Sequence, residues 1–563
     1  MSCHFLIRAL ICLPLLLVGA SISAATATGH HGIAATVQPI ATQAAVSALK
    51  RGGNAVDAAV AAALTLGVVD GHNSGIGGGC FMLIRLASGQ VVAVDGRETA
   101  PAKADRDMFI REGKAAPLLS QTGPLAAGVP GALAAYDYAV RHYGKRTLKE
   151  HLLEAAVIAE RGFKIDGSYA RALAATANEL AQFDESRRIF LHPNGSAYRK
   201  GELLKQPDLA GTYRQIAEQG IDWFYCGDFA QKTAGRMMEH GGLLTGADFA
   251  AYQVKLREPV TNDYRGYQIV GFPPPSSGGV HVAQILNILE QFDLRKFGPD
   301  SADFVHVVTE AMKLAFADRA FWLGDPDFTA VPKGLLSKTY AARLAARIRM
   351  DRATPVQSHD TPDGASSNLF GKHTTHFCTA DEAGNWVACT ATINTSFGCK
   401  VSVPGSGVVL NNQMDDFSIQ PGVANYFGLV GAEANAVAPG KRPLSSMSPT
   451  IVLKDGKPIF SVGAAGGPTI ISQTVLAIIN TIDFGMPIER ALAQARFRHQ
   501  WQPDELKIER KIGAEVLAEL RKRGHHVVPV DSMGAAQAMS FDVKTREFSG
   551  CADPRLSGEA AGL

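Results

Sequence analysis

The last third of the chain holds side chains whose types could carry acyl chemistry. Hydroxyls stand at Thr374, Thr375, Thr392 and Thr395. Amides and acids follow at Asn394, Asn411, Asn412, Gln413, Asp415 and Asp416. Ser445 and Ser446 then precede Gly466-Gly467-Pro468, which opens the apolar run TIISQTVLAIINTI. Two glycines before such a helix leave backbone N–H groups at its N-terminus, where a developing oxyanion could be held. The same residues also read as a strand-to-helix turn with no ligand. Taken singly, each threonine is more readily a β-former than a catalyst. Strand pairing supplies a separate reason for proximity. The stretch 375–392 alternates like a hairpin, and a turn at Ala383-Gly384 sets Thr375 opposite Thr392 and Cys378 opposite Cys389. Thr374 then lies close to Thr392.

Arg97 leaves a predicted strand in DGRETAPAK. An arginine there is ordinarily a solvated ion-pair partner, but it is also placed to clamp a carboxylate. Other chemistries find little support. GxSxG is absent, so no hydrolase elbow is expected. His376, His499, His525 and His526 are scattered, and HHV in RKRGHHVVPV reads as a surface loop. No CxxC and no His/Cys cluster has zinc spacing, so neither a metal nor a cofactor is expected. Glycines at 75, 77, 78 and 79 do not form GxGxxG, and they precede a strand rather than follow one. They predict a structural turn.

The elements that must position these groups belong to a large globular chain. It has 563 residues, 46% hydrophobic and 19% charged, enough to bury a sizeable core. A formal charge of +2 leaves no electrostatic footprint for nucleic acid. An Ala-rich helix ends at Gly52-Gly53, and Asn54 caps a second with Asp57 at its N-terminal dipole. A strand hairpin follows at about 81–95. Residues from about 132 to 350 read as mainly helical, with a Thr147/Glu150 capping box and a long helix after Ser301. Between them, PPPSSGG makes a rigid turn into a helix, read first as packing and second as an anion site. After about 351 the composition turns to β, with strands flanking Asp455-Gly456.

The N-terminal run ALICLPLLLVGASIS, followed by small residues, reads as a signal peptide cut between Ala20 and Ala27. It is too short to span a membrane, and no later segment looks transmembrane. Export would leave six cysteines, Cys80, Cys226, Cys378, Cys389, Cys399 and Cys551. A Cys378–Cys389 bridge and two buried thiols both remain open.

Several motifs together carry a family resemblance: GNAVDAAVAAAL, PPSSGG, TTHF, NTSFG, LNNQMDDF, KRPLSSMSPTIV, AAGGP and the terminal ADPR. From about Gly32 to the C-terminus the chain resembles the gamma-glutamyltranspeptidase family. The resemblance implies an α+β fold, a four-layer αββα sandwich of the N-terminal-nucleophile hydrolase type, with two stacked, mainly antiparallel sheets between helical layers. It implies an inactive precursor that cuts itself between His373 and Thr374. Residues 1–27 would be the signal peptide, 28–373 the large subunit and 374–563 the small catalytic subunit, the two forming one unit as a heterodimer. Thr374 would be the nucleophile, with its freed α-amine as base, and Thr392 would position it. Gly466 and Gly467 would hold the oxyanion. Arg97, Ser445 and Ser446 would bind the substrate's α-carboxylate, and Asn394, Gln413 and Asp416 its α-ammonium. The implied reaction cleaves the γ-glutamyl amide of glutathione and related compounds and passes the acyl group to water, amino acids or peptides. The implied location is periplasmic or secreted. A lid is implied at about 421–432, with Phe427 where bacterial relatives often carry tyrosine. Two other readings compete. A glutaryl-type β-lactam acylase of the same family has no α-amine to bind and no need of Asp416. An exported binding protein without activity would stay uncut.

Overall fold

The computed structural model describes residues 25–362 and 375–563. His373, Thr374 and the predicted leader up to residue 24 lie outside the described residues.

Two seven-stranded sheets form the centre. One runs from edge to edge as Ala25–Gly29, Glu547–Ala552, Ala535–Asp542, Lys457–Ala465, Thr450–Lys454, Tyr267–Gly271 and Val260–Tyr264. The other runs as Glu559–Gly562, Gly32–Thr36, Thr375–Asp381, Trp386–Thr392, Gly79–Arg85, Val91–Gly96 and Lys255–Arg257. Every pairing within both is antiparallel. Residue alternation divides the side chains between two faces. Ile33, Ala35, Phe81, Leu83, Cys378 and Ala388 meet Val270, Ile451, Met539 and Phe548 in the layer between the sheets. The intervening residues Ala34, Met82, Phe377 and Cys389 face outward onto helices such as Ala55–Val69. The other sheet turns Val452, Phe460 and Val462 onto the helices Gly278–Leu289, Ala302–Trp322 and Thr469–Ile482. This is the αββα sandwich.

The local signals act as their chemistry demands. Asn54 and Asp57 form a reciprocal capping box at the Ala55–Val69 helix, and Thr147 and Glu150 form another at Leu148–Arg161. Both faces of Ala55–Val69 are buried, which small alanines permit. The glycine turn before the Gly79–Arg85 strand is a packing device. A Cβ on Gly78 would stand 1.9 Å from the Thr392 carbonyl oxygen, and one on Gly77 would stand 2.0 Å from that of Val409. The strands at 255–271, inside a stretch expected to be mainly helical, complete both sheets. Their alternation was masked by the short length of each run.

The central hairpin differs from the expected register by one residue. Thr375 pairs with Ala391, not Thr392, and Phe377, not Cys378, pairs with Cys389. The cause is a three-residue loop. The Asp381 N–H donates to the Asn385 carbonyl at 3.1 Å, and Gly384 adopts φ 94°, a left-handed value suited to glycine. A one-residue shift moves side chains to opposite faces. Cys378 therefore lies between the sheets and Cys389 under the helices, which rules out a bridge between them. Among the described residues, all six cysteines are free thiols, and of these Cys226 alone is exposed.

Candidate active site

The site lies at one end of the sandwich, where Thr375–Asp381 begins and Trp386–Thr392 and Lys457–Ala465 end. Thr375 faces the helices and donates its hydroxyl to Asp70 Oδ2 at 3.0 Å. Asp70 closes the Ala55–Val69 helix and also accepts from Asn73 Nδ2 at 3.0 Å. Burial pushes the Asp70 carboxyl up to about 7 despite these bonds. Thr392 is buried between the sheets, and its Oγ1 accepts the Asn394 N–H at 2.8 Å. Asn394 has φ 77°, a left-handed conformation that asparagine tolerates better than most residues. Its Nδ2 donates to the Asn412 carbonyl at 2.8 Å, and its buried Oδ1 has no hydrogen-bond partner among the described residues. Asn394 and Gly466 line one cleft of about 260 Å³ with Asn73, Gly534 and Leu556.

Gly466 and Gly467 have φ 118° and 63°. Their carbonyls accept the N–H groups of Thr469 at 3.2 Å and Ile470 at 2.9 Å. The turn thus directs its carbonyls into the helix start. Pro468 already has helical angles, φ −53° and ψ −28°, one residue ahead of Thr469–Ile482.

The groups expected at opposite ends of a zwitterion pair with each other. Arg97 is fully buried and donates from Nη2 to Asp416 Oδ2. Its Nε donates to the Pro443 carbonyl at 2.9 Å and its Nη2 also to that of Leu444 at 3.3 Å. Nη1 has no hydrogen-bond partner among the described residues. Gln413 Nε2 donates to Asp416 Oδ2 at 2.7 Å, while Gln413 Oε1 is buried without a partner among the described residues. The solvated-arginine reading of Arg97 therefore fails, because this cation and anion are buried together. Glu98 is equally buried, and desolvation raises its carboxyl to about 8.

Ser445 and Ser446 join this cluster to the PPPSSGG turn. Ser445 Oγ accepts the Met447 N–H at 3.0 Å. Ser446 Oγ lies 3.0 Å from Ser277 Oγ and accepts from Arg319 Nη2 at 2.8 Å. Arg319 also donates from Nε to Ser277 Oγ at 3.0 Å, and burial holds its pKa well below the arginine value. The sequence reading missed Arg319. A charge on a helix as apolar as Ala302–Trp322 was the available signal, since such a charge must be buried with partners. The SSGG turn serves packing: a Cβ on Gly279 would stand 2.4 Å from the Phe272 carbonyl oxygen.

Other polar candidates hold loops. Asn411 donates to the carbonyls of Gly77 and Gly128, both at 2.9 Å. Asn412 Nδ2 donates to Thr395 Oγ1 at 2.8 Å. Asp415 accepts from Ser120 Oγ at 2.6 Å and from the Tyr426 N–H at 3.2 Å. That last bond ties the predicted lid to the site loop, while the Tyr426 ring is exposed and meets Phe427 edge-on. His376 sits 2.9 Å from Thr390 Oγ1, and burial lowers its pKa to about 3, so it stays neutral. His525, expected on a surface loop, is buried with its Nε2 2.7 Å from His306 Nδ1. With Glu310 these are the three side chains grouped closely enough to hold a metal among the described residues. Glu310 already accepts from Lys313 Nζ at 3.0 Å and the Thr354 N–H at 2.8 Å. The group is a satisfied hydrogen-bonded core.

Stacked antiparallel sheets between helical layers, with a polar cleft at the strand ends, are the architecture of the N-terminal-nucleophile hydrolases. Within that class the chain belongs to the gamma-glutamyltranspeptidase family, whose sequence model matches residues 41–563. It is 44% identical over 527 residues to a glutathione hydrolase proenzyme of Escherichia coli, covering 93% of this chain and 90% of that one. The structure resembles a cephalosporin acylase from Bacillus halodurans with a TM-score of 0.87 at 29% identity, over 98% of this chain and 99% of that one. It resembles a Helicobacter pylori gamma-glutamyltranspeptidase chain with a TM-score of 0.57 at 40% identity, over 58% of this chain and 94% of that one. Among the described residues, no helix is long and apolar enough to cross a membrane.

Proposed function

We propose that this chain is a self-processing γ-glutamyl hydrolase and transferase acting on glutathione and related γ-glutamyl compounds. The observation that carries the substrate reading is the buried Arg97–Asp416 pair: Arg97 is bonded to the Leu444 carbonyl just before Ser445 and Ser446, Asp416 is bonded to Gln413, and Gln413 Oε1 and Asn394 Oδ1 are buried without a hydrogen-bond partner among the described residues. An α-amino acid carries one anion and one cation, and each would find its complement here. Arg97 with the serines takes the α-carboxylate. Asp416 with the two amide oxygens takes the α-ammonium. A glutaryl acyl group has no ammonium and would leave Asp416 unused.

The nucleophile assigned to this site is Thr374. The described register ends with Thr375 opposite Ala391, and Thr392 is the next residue of the partner strand, which supports a nucleophile supplied from just before Thr375. In maturation, Thr374 Oγ attacks the His373 carbonyl carbon and the peptide C–N bond breaks. The departing Thr374 nitrogen takes up the Oγ proton and becomes the free α-amine, and water then hydrolyses the ester to the His373 carboxylate and the Thr374 hydroxyl. In turnover that amine accepts the Oγ proton as Oγ attacks the γ-carbonyl carbon. The Gly466 and Gly467 N–H groups hold the oxyanion. The leaving amine departs with a proton, and water or an acceptor amine then attacks the acyl-threonine ester. The products of maturation are subunits 28–373 and 374–563, held together because the Thr375–Asp381 strand lies between Gly32–Thr36 and Trp386–Thr392.

Export to the periplasm or beyond fits the predicted leader. The direct test is denaturing electrophoresis. The 59.7 kDa chain is expected to give bands near 40 and 20 kDa, by share of residues, ~0.11 kDa each. Thr374→Ala is expected to give one uncut band and no turnover. A Thr374→Ala protein that still matures would mean the nucleophile lies elsewhere.

A further inference from the structure

The end of the sandwich opposite the acyl site encloses a second, larger space. Three hairpin turns meet there: the loop after Asp381, the Asp455-Gly456 turn and the loop after Asp542. They bound a cavity of about 610 Å³, within the size range of small-molecule sites. Its walls are apolar at Trp386, Phe541 and Phe548, whose last two rings lie 4.7 Å apart. Its charged groups are unevenly matched. Arg85, Lys457 and Arg546 line it, and none forms an ion pair among the described residues.

Arg85 is the most constrained of the three. It is 8% exposed, with Nη1 donating to the carbonyl of Gly384 at 3.0 Å and Nη2 to that of Gly456 at 3.1 Å. It thereby ties two of the turns together, and its buried Nε has no partner among the described residues. Two acids also line the cavity, but both are engaged. Asp381 accepts the Ala55 N–H at 2.9 Å, the Asn385 N–H at 3.0 Å and Asn385 Nδ2 at 2.8 Å. Glu382 is paired with His31. The space is thus aromatic within and positively charged around, and Arg85, the one of the three cations drawn out of water, lies there without an anion among the described residues, which is costly.

We infer that this cavity is a second binding site, for a small carboxylate with an aromatic body. The rings take the body of the ligand, and Arg85, Lys457 and Arg546 take its carboxylate. The site does not overlap the acyl site. The seven-residue Thr375–Asp381 strand separates them by roughly 20 Å.

The test uses the mature enzyme, titrated calorimetrically with 2-naphthoate in excess L-glutamate, which holds the acyl site. Neutral 2-naphthalenemethanol is the comparator. Naphthoate is expected to bind one per chain, at least tenfold more tightly than the alcohol, and to quench fluorescence that Trp386→Phe removes. Lys457 and Arg546 are exposed, so a Lys457→Glu/Arg546→Glu variant should fold. It should lose at least tenfold in naphthoate affinity and keep its γ-glutamyl turnover. The inference is overturned by equal binding of acid and alcohol, by unchanged affinity in the double variant, or by no saturable binding. Displacement by L-glutamate also overturns it, by placing the dye acid in the acyl site. Loss of γ-glutamyl activity in the wild type would strike the proposed function and leave this binding test standing.

Discussion

Replacing Asp416 by asparagine separates the two ends of the proposed substrate. Asp416 and Arg97 are both fully buried, and Gln413 Nε2 also donates to the carboxylate. Asparagine keeps the shape and an acceptor oxygen but removes the negative charge. For a γ-glutamyl anilide, the α-ammonium then meets a neutral group in a dry site. Removing one partner of a buried charged contact costs about 2–5 kcal/mol. At about 1.4 kcal/mol per tenfold change, kcat/KM should fall by about 30-fold to several thousandfold. A glutaryl anilide has the same carboxylate and no ammonium. Arg97 keeps its bonds to the Pro443 and Leu444 carbonyls, so it stays in place to receive that carboxylate. Glutaryl turnover should stay within about tenfold of wild type. The assay is paired steady-state kinetics on both anilides, corrected for the matured fraction seen by electrophoresis. The decisive quantity is the ratio of the two kcat/KM values, which should drop by about 100-fold. If both substrates fall by one common factor, Asp416 acts only by holding Arg97, and the ammonium assignment is wrong.

Three further outcomes follow from the geometry. Gly466→Ala would place a Cβ 2.6 Å from Thr469 Oγ1, at a φ of 118° that alanine resists. Loss of about 10²–10³ in kcat with KM little changed is expected in steady-state assays, and wild-type kcat would remove Gly466 from the oxyanion site. Asp70 bears on stability. Its carboxyl is raised from 3.8 to about 7 by burial, so the folded state holds a proton that the unfolded state releases. That contribution is complete below about pH 4 and lost as pH rises through about 7. Wild type should lose stability relative to Asp70→Asn over that interval in urea titrations, and parallel curves would refute the assignment. For the thiols, a disulfide reagent should modify one cysteine, Cys226, in the native mature protein and six after denaturation, with identical electrophoresis under reducing and non-reducing conditions.

Caps and turns were legible because they are local. Asn54 with Asp57, Thr147 with Glu150, and the Asp455-Gly456 turn each state their role within a few residues. The nearness of Gly466 and Asn394 in one cleft was legible only through the family motifs, because 72 positions of chain separate them and no local rule brings them together. The Arg97–Asp416 pair was hidden for the same reason. A lone arginine after a strand looks solvated until the fold shows what closes over it. Arg319 was hidden differently, as one of five charged residues on a long helix with no motif beside it.

The hairpin register shows how a small local error reaches the chemistry. A two-residue turn would put Thr375 opposite Thr392, and residue 374 beyond the last pair. The observed three-residue loop pairs Thr375 with Ala391. Thr375 and Thr392 then occupy different faces: Thr375 binds Asp70 under the helices, and Thr392 points between the sheets with its hydroxyl on the Asn394 N–H. Only even-numbered positions of the first strand share that inner face with Thr392, as His376 beside Thr390 demonstrates at 2.9 Å. Thr375 is therefore turned away from the cleft that holds Asn394 and Gly466. That orientation of Thr375 follows from the length of a loop at the other end of the hairpin.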